Sequence, residues 1–484
     1  MNNPSDLSGG SSRTRREFDG KPPESPREDV PSLVVPRLGT WRCACPMCET
    51  AADSTPAYFK RAFGEPRHLA RTSEGIANAL GFCPRHGAEL LMREPLRLAT
   101  AQVFELVVPQ VLPLLADARF GDEKFLQVYF SAPHACPACA YEHRAVARQA
   151  ARLGTKVAAH SGHGEGPDIS HLCNAHFQLM ARTLAPERRM PALGAHAEAL
   201  DRAVRAVEDM LKTGIPAETP LVELTALSTT LGMAAGSGGA CDATVALPLA
   251  ESLQTCPDFE QAVERACACA VCVEVERSRQ RWLIAVPLAV AHALDDWLFL
   301  PTCPEHVALA AGLGDIAVTA AVAAHALRAA GELAHQQLRT LVRAAESEAE
   351  QAAARIVRWG RRPRRRKSEP RKPPLPKIVR CAACERLAIA ELHATGHLLR
   401  WLQGGGHRHA FEGGWGLCMK HHAQAYLMSP KGAVRSFLAA DQARRLSEFV
   451  RWLEDEQDSL AQNQSSRPAK DAYVLALRRF CGFG

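Results

Sequence analysis

Seventeen cysteines punctuate the 484-residue chain, and twelve of them fall, with four histidines, into one repeating pattern. Cys45 and Cys48 form C-x-x-C, and Cys83 with His86 forms C-x-x-H. The same order returns as Cys136, Cys139, Cys173 and His176, then as Cys269, Cys272, Cys303 and His306, and finally as Cys381, Cys384, Cys418 and His421. From second to third cysteine the gaps are 35, 34, 31 and 34 positions. At this cysteine frequency chance supplies roughly one C-x-x-C and one C-x-x-H per chain. Four of each, in strict alternation, mark a repeated architecture. Two residues three apart share one side of a first helical turn, so both can face one ion. Three thiolates and an imidazole suit tetrahedral zinc and leave no open position for water, which makes such a site structural. The expectation is about four zinc ions per chain, each held by the two pairs of one frame.

The elements that must position these ligands read as helices. Pro46, Pro84, Pro137 and Pro304 each follow the first cysteine of a pair. Proline is favoured at the first helical position, so those cysteines read as N-caps, where the helix dipole stabilises thiolate. Helix-like stretches follow each C-x-x-C, as at 142–153, 274–286 and 385–402; in the last, Leu387, Ile389, Leu392, Leu398, Leu399 and Leu402 fall mostly on one stripe. Turn signals come next: Gly81, the loop 160–168, Pro301 and the run 404–409. Longer helical stretches follow each C-x-x-H, at 88–112 and 332–359 among others. β-branched alternating runs are scarce, and aromatics are only 6% of the chain. The fold class expected is mostly α: four tandem helical modules, each closed by a Cys3His zinc site, with a disordered N-terminal tail and linkers.

The segments CPMC…GFCPRH (45–86), CPAC…HLCNAH (136–176) and WGLCMKHH (415–422) resemble an uncharacterised bacterial helical zinc-binding family, a domain of unknown function with C-P-x-C and G-F/L-C-x-x-H motifs. The resemblance covers the ligand frames, about half the chain, and implies a helical zinc-binding module without a known activity. The third frame departs from it, since CAVC lacks the proline and LPTCPEH the glycine.

Length allows about three to five domains. Boundaries follow composition: a disordered tail over 1–36, zinc modules over 37–130 and 131–225, a linker of small residues over 226–250, a third module over 251–358, a basic Pro-rich linker over 359–379, a fourth module over 380–461, and a tail with a short helix over 462–484. The apolar share of 47% rules out wholesale disorder. No run of about 18 apolar residues free of charge stands out as a membrane span; 283–300 is broken by Asp295 and Asp296, and 305–327 by Asp315. The polar start of the chain reads as no secretory signal, so the expected location is cytoplasmic.

Net charge is +6, but twelve Arg or Lys and one acid lie from Arg355 to Arg380, so that segment carries +11 and the remainder −5. A dense basic run attracts polyphosphate without reading sequence, and the stretch between Arg361 and Lys377 is the candidate nucleic-acid contact. The alternative is a solvated linker held extended by repulsion and proline. Cys43 and Cys267 precede the first and third frames as C-x-C-x-x-C, an arrangement that with Cys83 or Cys303 suits an iron–sulfur cluster, although His86 and His306 keep the zinc pattern there. His160, His163 and His171, and His407 and His409, flank glycine-rich turns and read as exposed polar residues; His422 is a rival to His421, while His292, His325 and His335 read as ordinary helical histidines. Phosphate-loop, dinucleotide, nucleophile-elbow, haem-attachment, H-E-x-x-H and deaminase motifs are absent. The resulting expectation is a non-enzymatic multi-zinc scaffold that binds another protein and no membrane. A nucleic-acid-associated regulator using 359–379 is one alternative, and a redox protein using Cys43 and Cys267 is another.

Overall fold

The structure, a computed structural model, describes residues 45–116, 136–159, 169–213, 225–235, 259–264, 268–292, 300–357, 381–461 and 479–480, apart from positions 65, 80, 92, 94, 95, 170, 314, 405 and 431. All regular structure among them is helical. In chain order the helices are α1 (Pro46–Gly64), α2 (Leu69–Asn78), α3 (Pro84–Leu91), α4 (Arg97–Ala116), α5 (Pro137–Ala159), α6 (Asn174–Ala181), α7 (Pro186–Thr213), α8 (Thr225–Ala235), α9 (Phe259–Glu264), α10 (Ala270–Ala291), α11 (Pro304–Ala311), α12 (Ile316–Val357), α13 (Ala382–Gln403), α14 (His407–Gly413), α15 (Met419–Met428) and α16 (Ala433–Ala461). Every first cysteine of a pair stands immediately before a helix, as the C-P dipeptides imply.

Two antiparallel pairs of long helices form the frame. α1 lies against α5, with Met47 and Cys48 sharing a core with Val146 and Ala150 at one end. At the other end Phe59 and Phe63 pack with Cys136 and Ala138, and the Tyr58 and Tyr141 rings are 5.7 Å apart. α10 lies against α13 in the same way. Ala270 and Val273 meet Ala394 and Leu398, while Trp282 and Val286 meet Cys381 and Ala383. The buried positions of α5, namely Ala138, Val146, Ala150 and Gly154, recur at multiples of four, as one helical face requires.

The helices that follow each C-x-x-H join the two halves. Leu200, Val204 and Val207 of α7 share a core with Val318, Val322 and Leu327 of α12, and Arg328 pairs with Glu208 across them. Phe104, Val107 and Val111 of α4 pack with Leu446, Phe449 and Leu453 of α16. Phe480 closes this second core, its ring 5.2 Å from Phe104. The buried clusters therefore draw on more than one of the segments that composition suggested as modules. The second frame packs on the third, and the first on the fourth.

Some segment readings change. Of the stretch 226–250, read as a linker, residues up to 235 belong to α8, where Leu227, Thr230, Leu231 and Met233 are buried against α7 and α12. Its small residues serve close helix packing, not flexibility. The run 88–112 is two helices broken between Leu91 and Arg97, and the turn at 404–409 gives way to α14 at His407. One stretch, Ile316–Ser347, is long and apolar enough by length and composition to cross a membrane, but 67% of its apolar window is buried inside the protein. The tail 1–36, the linker 359–379 and most of 462–484 lie outside the described residues.

His196 of α7 sits in the core that surrounds Cys45 and Cys173, its ring stacked 3.7 Å from that of Phe177. Both ring nitrogens are buried without a hydrogen-bond partner. Burial disfavours the charged form and pushes its pKa down to about 4. Between the ordinary value of 6.5 and that value the unfolded chain binds the proton and the folded chain does not. Stability is thus unaffected above that window and falls as pH drops through it, by on the order of 3 kcal/mol in total. His196→Leu should flatten this part of the stability–pH curve; an unchanged slope in denaturant titrations from pH 6.5 to 4 would contradict the reading.

Candidate metal centres

Each C-x-x-C or C-x-x-H is built by one helix start. The Cys173, Cys269, Cys303, Cys381 and Cys418 backbones are extended N-caps. All eight first cysteines accept the opening intrahelical hydrogen bond at their carbonyl, as in Glu49 N–H to Cys45 O at 3.2 Å and His422 N–H to Cys418 O at 2.8 Å. The second ligand of each pair lies one turn on, beside the first. Before two of the C-x-x-H pairs a glycine in left-handed conformation turns the chain: Gly81 at φ 115° and Gly416 at φ 79°. A side chain there would be strained, and a Cβ would also meet the Phe480 backbone or, at 2.6 Å, Arg445 Nε.

The sixteen ligand candidates gather into four quartets, each with its donor atoms within 4.8 Å of one another: Cys45, Cys48, Cys173 and His176; Cys83, His86, Cys136 and Cys139; Cys269, Cys272, Cys418 and His421; and Cys303, His306, Cys381 and Cys384. The residues and the Cys3His composition are those of the sequence pattern, but the partnership is not. Every quartet takes its C-x-x-C from one frame and its C-x-x-H from the neighbouring frame. The first and second frames exchange, as do the third and fourth. Helix length explains the correction. α5, α10 and α13 run 23, 22 and 22 residues away from their own C-x-x-C, about 33 Å at 1.5 Å per residue. After such a helix only a short connection remains, so the following C-x-x-H arrives at the far end. In the first frame α1 runs 19 residues and α2 returns only 10. What waits at that far end is the N-terminus of the antiparallel partner helix, with its own C-x-x-C.

The geometry suits one four-coordinate ion per quartet. A tetrahedron with about 2.3 Å to sulfur and about 2.05 Å to nitrogen has edges of about 3.8 Å between sulfurs and about 3.6 Å from sulfur to nitrogen. Sulfur–sulfur distances of 3.7, 3.6, 3.8 and 3.7 Å occur for Cys48–Cys173, Cys83–Cys139, Cys272–Cys418 and Cys303–Cys384. Sulfur to Nδ1 is 3.2–3.5 Å around His176, 3.3–3.4 Å around His86, 3.2–3.3 Å around His421 and 3.1–3.9 Å around His306. All four histidines face their thiols with Nδ1. None of the twelve cysteines is in a disulfide.

Electrostatics point to a cation. Each quartet lies between two helix N-termini, whose dipoles favour thiolate. Burial alone would lower the His86 pKa, but hydrogen bonds to Cys136, Cys83 and Glu142 outweigh it and push the value up to about 11. His176 rises to about 9 for the corresponding reason, against its own burial, through Cys45 and Cys48. Hydrogen bonds from Cys139 and Cys83 pull the Cys136 thiol down. The same contacts push the Cys139 thiol up, so the sulfurs share their protons unequally; a divalent ion would displace those protons and balance three thiolates.

Two quartets carry a carboxylate brace that the sequence pattern did not reveal. Glu142 Oε2 lies 3.2 Å from His86 Nε2 and pairs with Arg85. Glu391 Oε1 lies 3.3 Å from His421 Nε2 and 3.0 Å from Lys420 Nζ. Burial opposes its ionisation, yet contact with His421 and Lys420 holds the Glu391 carboxyl at about 2. With Nδ1 facing the thiols, Nε2 faces the carboxylate at ion-pair distance, which favours one ring orientation, although the His421 contact lacks hydrogen-bond geometry. Glu142 stands one turn after Cys139, a spacing visible in the sequence; Glu391 comes from a helix whose own cysteines serve another quartet, so no local signal marks it. Among the described residues neither His176 nor His306 has a carboxylate within ion-pair distance, and the His306 ring meets the Trp282 edge instead.

Among the described residues, none of the other histidines considered joins a quartet. His422 is buried, with Nε2 donating to the Leu438 carbonyl at 3.1 Å. His407 stacks on Trp401, and His409 is exposed near Glu412. His171 and His292 are exposed, His325 of α12 is buried, and His335 lies 3.9 Å from Asp201. Cys43, Cys267, His160, His163, Asp295 and Asp296 lie outside the described residues.

Fold and site together define a helical protein with four Cys3His groups able to hold metal ions. Comparison with protein-family models, curated proteins and solved structures found no match. Replacing Glu391 by Gln should weaken metal at the third quartet by about 10–100-fold while the other three keep theirs. Chelator competition with metal counting checks this, and equal retention at all four would show the brace to be idle.

Proposed function

We propose that the protein is a non-enzymatic scaffold whose four Cys3His groups bind zinc structurally. The observation that carries this reading is the closure of each site: four protein donors at tetrahedral spacing, drawn from helix starts 125–152 residues apart in two of the quartets. An ion so placed ties together frames that the chain alone leaves loosely connected. Binding energy of about 10 kcal/mol per structural zinc is folding energy here. The donor set favours zinc, since thiolate with imidazole in a four-coordinate site is its usual environment. No quartet needs Cys43 or Cys267, because each is completed by a histidine. The exposed helical faces are read as platforms for a protein partner in the cytoplasm; the resemblance of the C-P-x-C and G-F/L-C-x-x-H motifs to a helical zinc-binding family supports the zinc-binding module alone.

Protein purified without added metal should contain about four zinc ions per chain, and a strong chelator should remove them with loss of helical circular dichroism. Full helicity in metal-free protein would overturn the structural role. The charge of +11 from Arg355 to Arg380 favours a second reading, contact with nucleic acid. Deleting 359–379 should abolish salt-sensitive binding of a duplex DNA or RNA probe; binding that survives the deletion, or none in the intact chain, would remove it.

A further inference from the structure

The four quartets differ in access. In the third all four ligands are buried, and in the first all three cysteines are; in the second Cys83 and Cys139 are half-buried. Only in the fourth is a thiol exposed: Cys384, one turn into α13. That quartet also has the longest sulfur-to-imidazole distance of the four, 3.9 Å from Cys381 Sγ to His306 Nδ1. It lacks the carboxylate brace found on His86 and His421. A second thiol, Cys303 Sγ, sits 3.7 Å from Cys384 Sγ.

These features are those of a reactive site. An ion keeps its thiols deprotonated, and thiolate is the nucleophile. Reactivity follows thiolate character and exposure, and oxidation sensors pair an accessible thiolate with a neighbouring thiol that resolves the product. Resting on the zinc reading above, we propose that Cys384 is an oxidative modification site for hydroperoxides, and that its oxidation unloads the fourth quartet alone. The Cys384 thiolate attacks the terminal peroxide oxygen and forms an S–O bond. The O–O bond breaks and the departing oxygen takes its electron pair, as alkoxide or hydroxide. The Cys303 thiolate then attacks the sulfenic sulfur, forming the S–S bond and expelling hydroxide. Two thiolates have lost two electrons and the peroxide has gained them. The ion is left with Cys381 and His306, too few ligands to hold it. Loss of this ion frees the N-terminus of α13 from α11, directly after the basic segment.

The test uses the full-length zinc-loaded protein and hydrogen peroxide at one to a few equivalents, with released metal counted and cysteine products mapped by peptide mass. The expected result is release of one zinc equivalent at least about tenfold faster than the rest, together with a Cys303–Cys384 disulfide that thiol reductant and added zinc reverse. Release of several equivalents at one rate, or first oxidation at any other quartet, would overturn the proposal while leaving the structural zinc reading intact. A protein that carries no zinc as purified would defeat both. C384S should retain three zinc ions and lose the fast phase; the mapping on unmodified protein stands without that variant should it fold poorly.

Discussion

The structure depends on one constraint: a Cys3His group, able to hold an ion, that brings the start of one helix to the start of another from a different frame. Thiolates at two facing N-termini would satisfy the dipoles, and an ion would satisfy the thiolates. Because each long helix begins at one quartet and ends beside the next, an antiparallel pair is joined at both ends. α1 with α5 and α10 with α13 are the two instances of this arrangement, each held by a pair of quartets. Small and aliphatic side chains can fill the space between such helices, which accounts for a chain with few aromatics and many buried alanines. The two halves then meet through the helices that leave each C-x-x-H. α7 packs on α12, and α4 on α16 with Phe480 beneath.

Local chemistry made the ligands legible in the sequence, because two donors on one turn must sit three apart and a proline after the cysteine announces the helix. The positive-φ glycines of GFC and GLC are legible for the same reason, since each serves a turn two residues before its cysteine. Partnership was harder. Four alternating pairs are compatible with closure inside each frame or across frames, and pairs alone do not choose. Helix length chooses: a gap of 31–35 positions filled mainly by one helix carries the second pair away from the first. The brace Glu391, the buried ring of His196 and the packing of α8 depend on contacts made only in three dimensions, and no spacing rule reaches them; Glu142, one turn after Cys139, is the exception.

The quartets share composition but not surroundings. Burial and braces grade them from the enclosed third site to the fourth, where one thiol meets solvent. Equal motifs therefore form unequal sites, and position in the fold sets that inequality, not ligand type. In sequence, the fourth site's Cys381 follows directly on the +11 segment.

A crystal structure phased at the zinc absorption edge would test crosswise closure most directly. The account predicts four anomalous peaks, one at the centre of Cys45, Cys48, Cys173 and His176 and the others in the three corresponding exchanged sets, each about 2.3 Å from its sulfurs. A peak shared by Cys45, Cys48, Cys83 and His86, or sulfurs paired as disulfides with no peak, would contradict it.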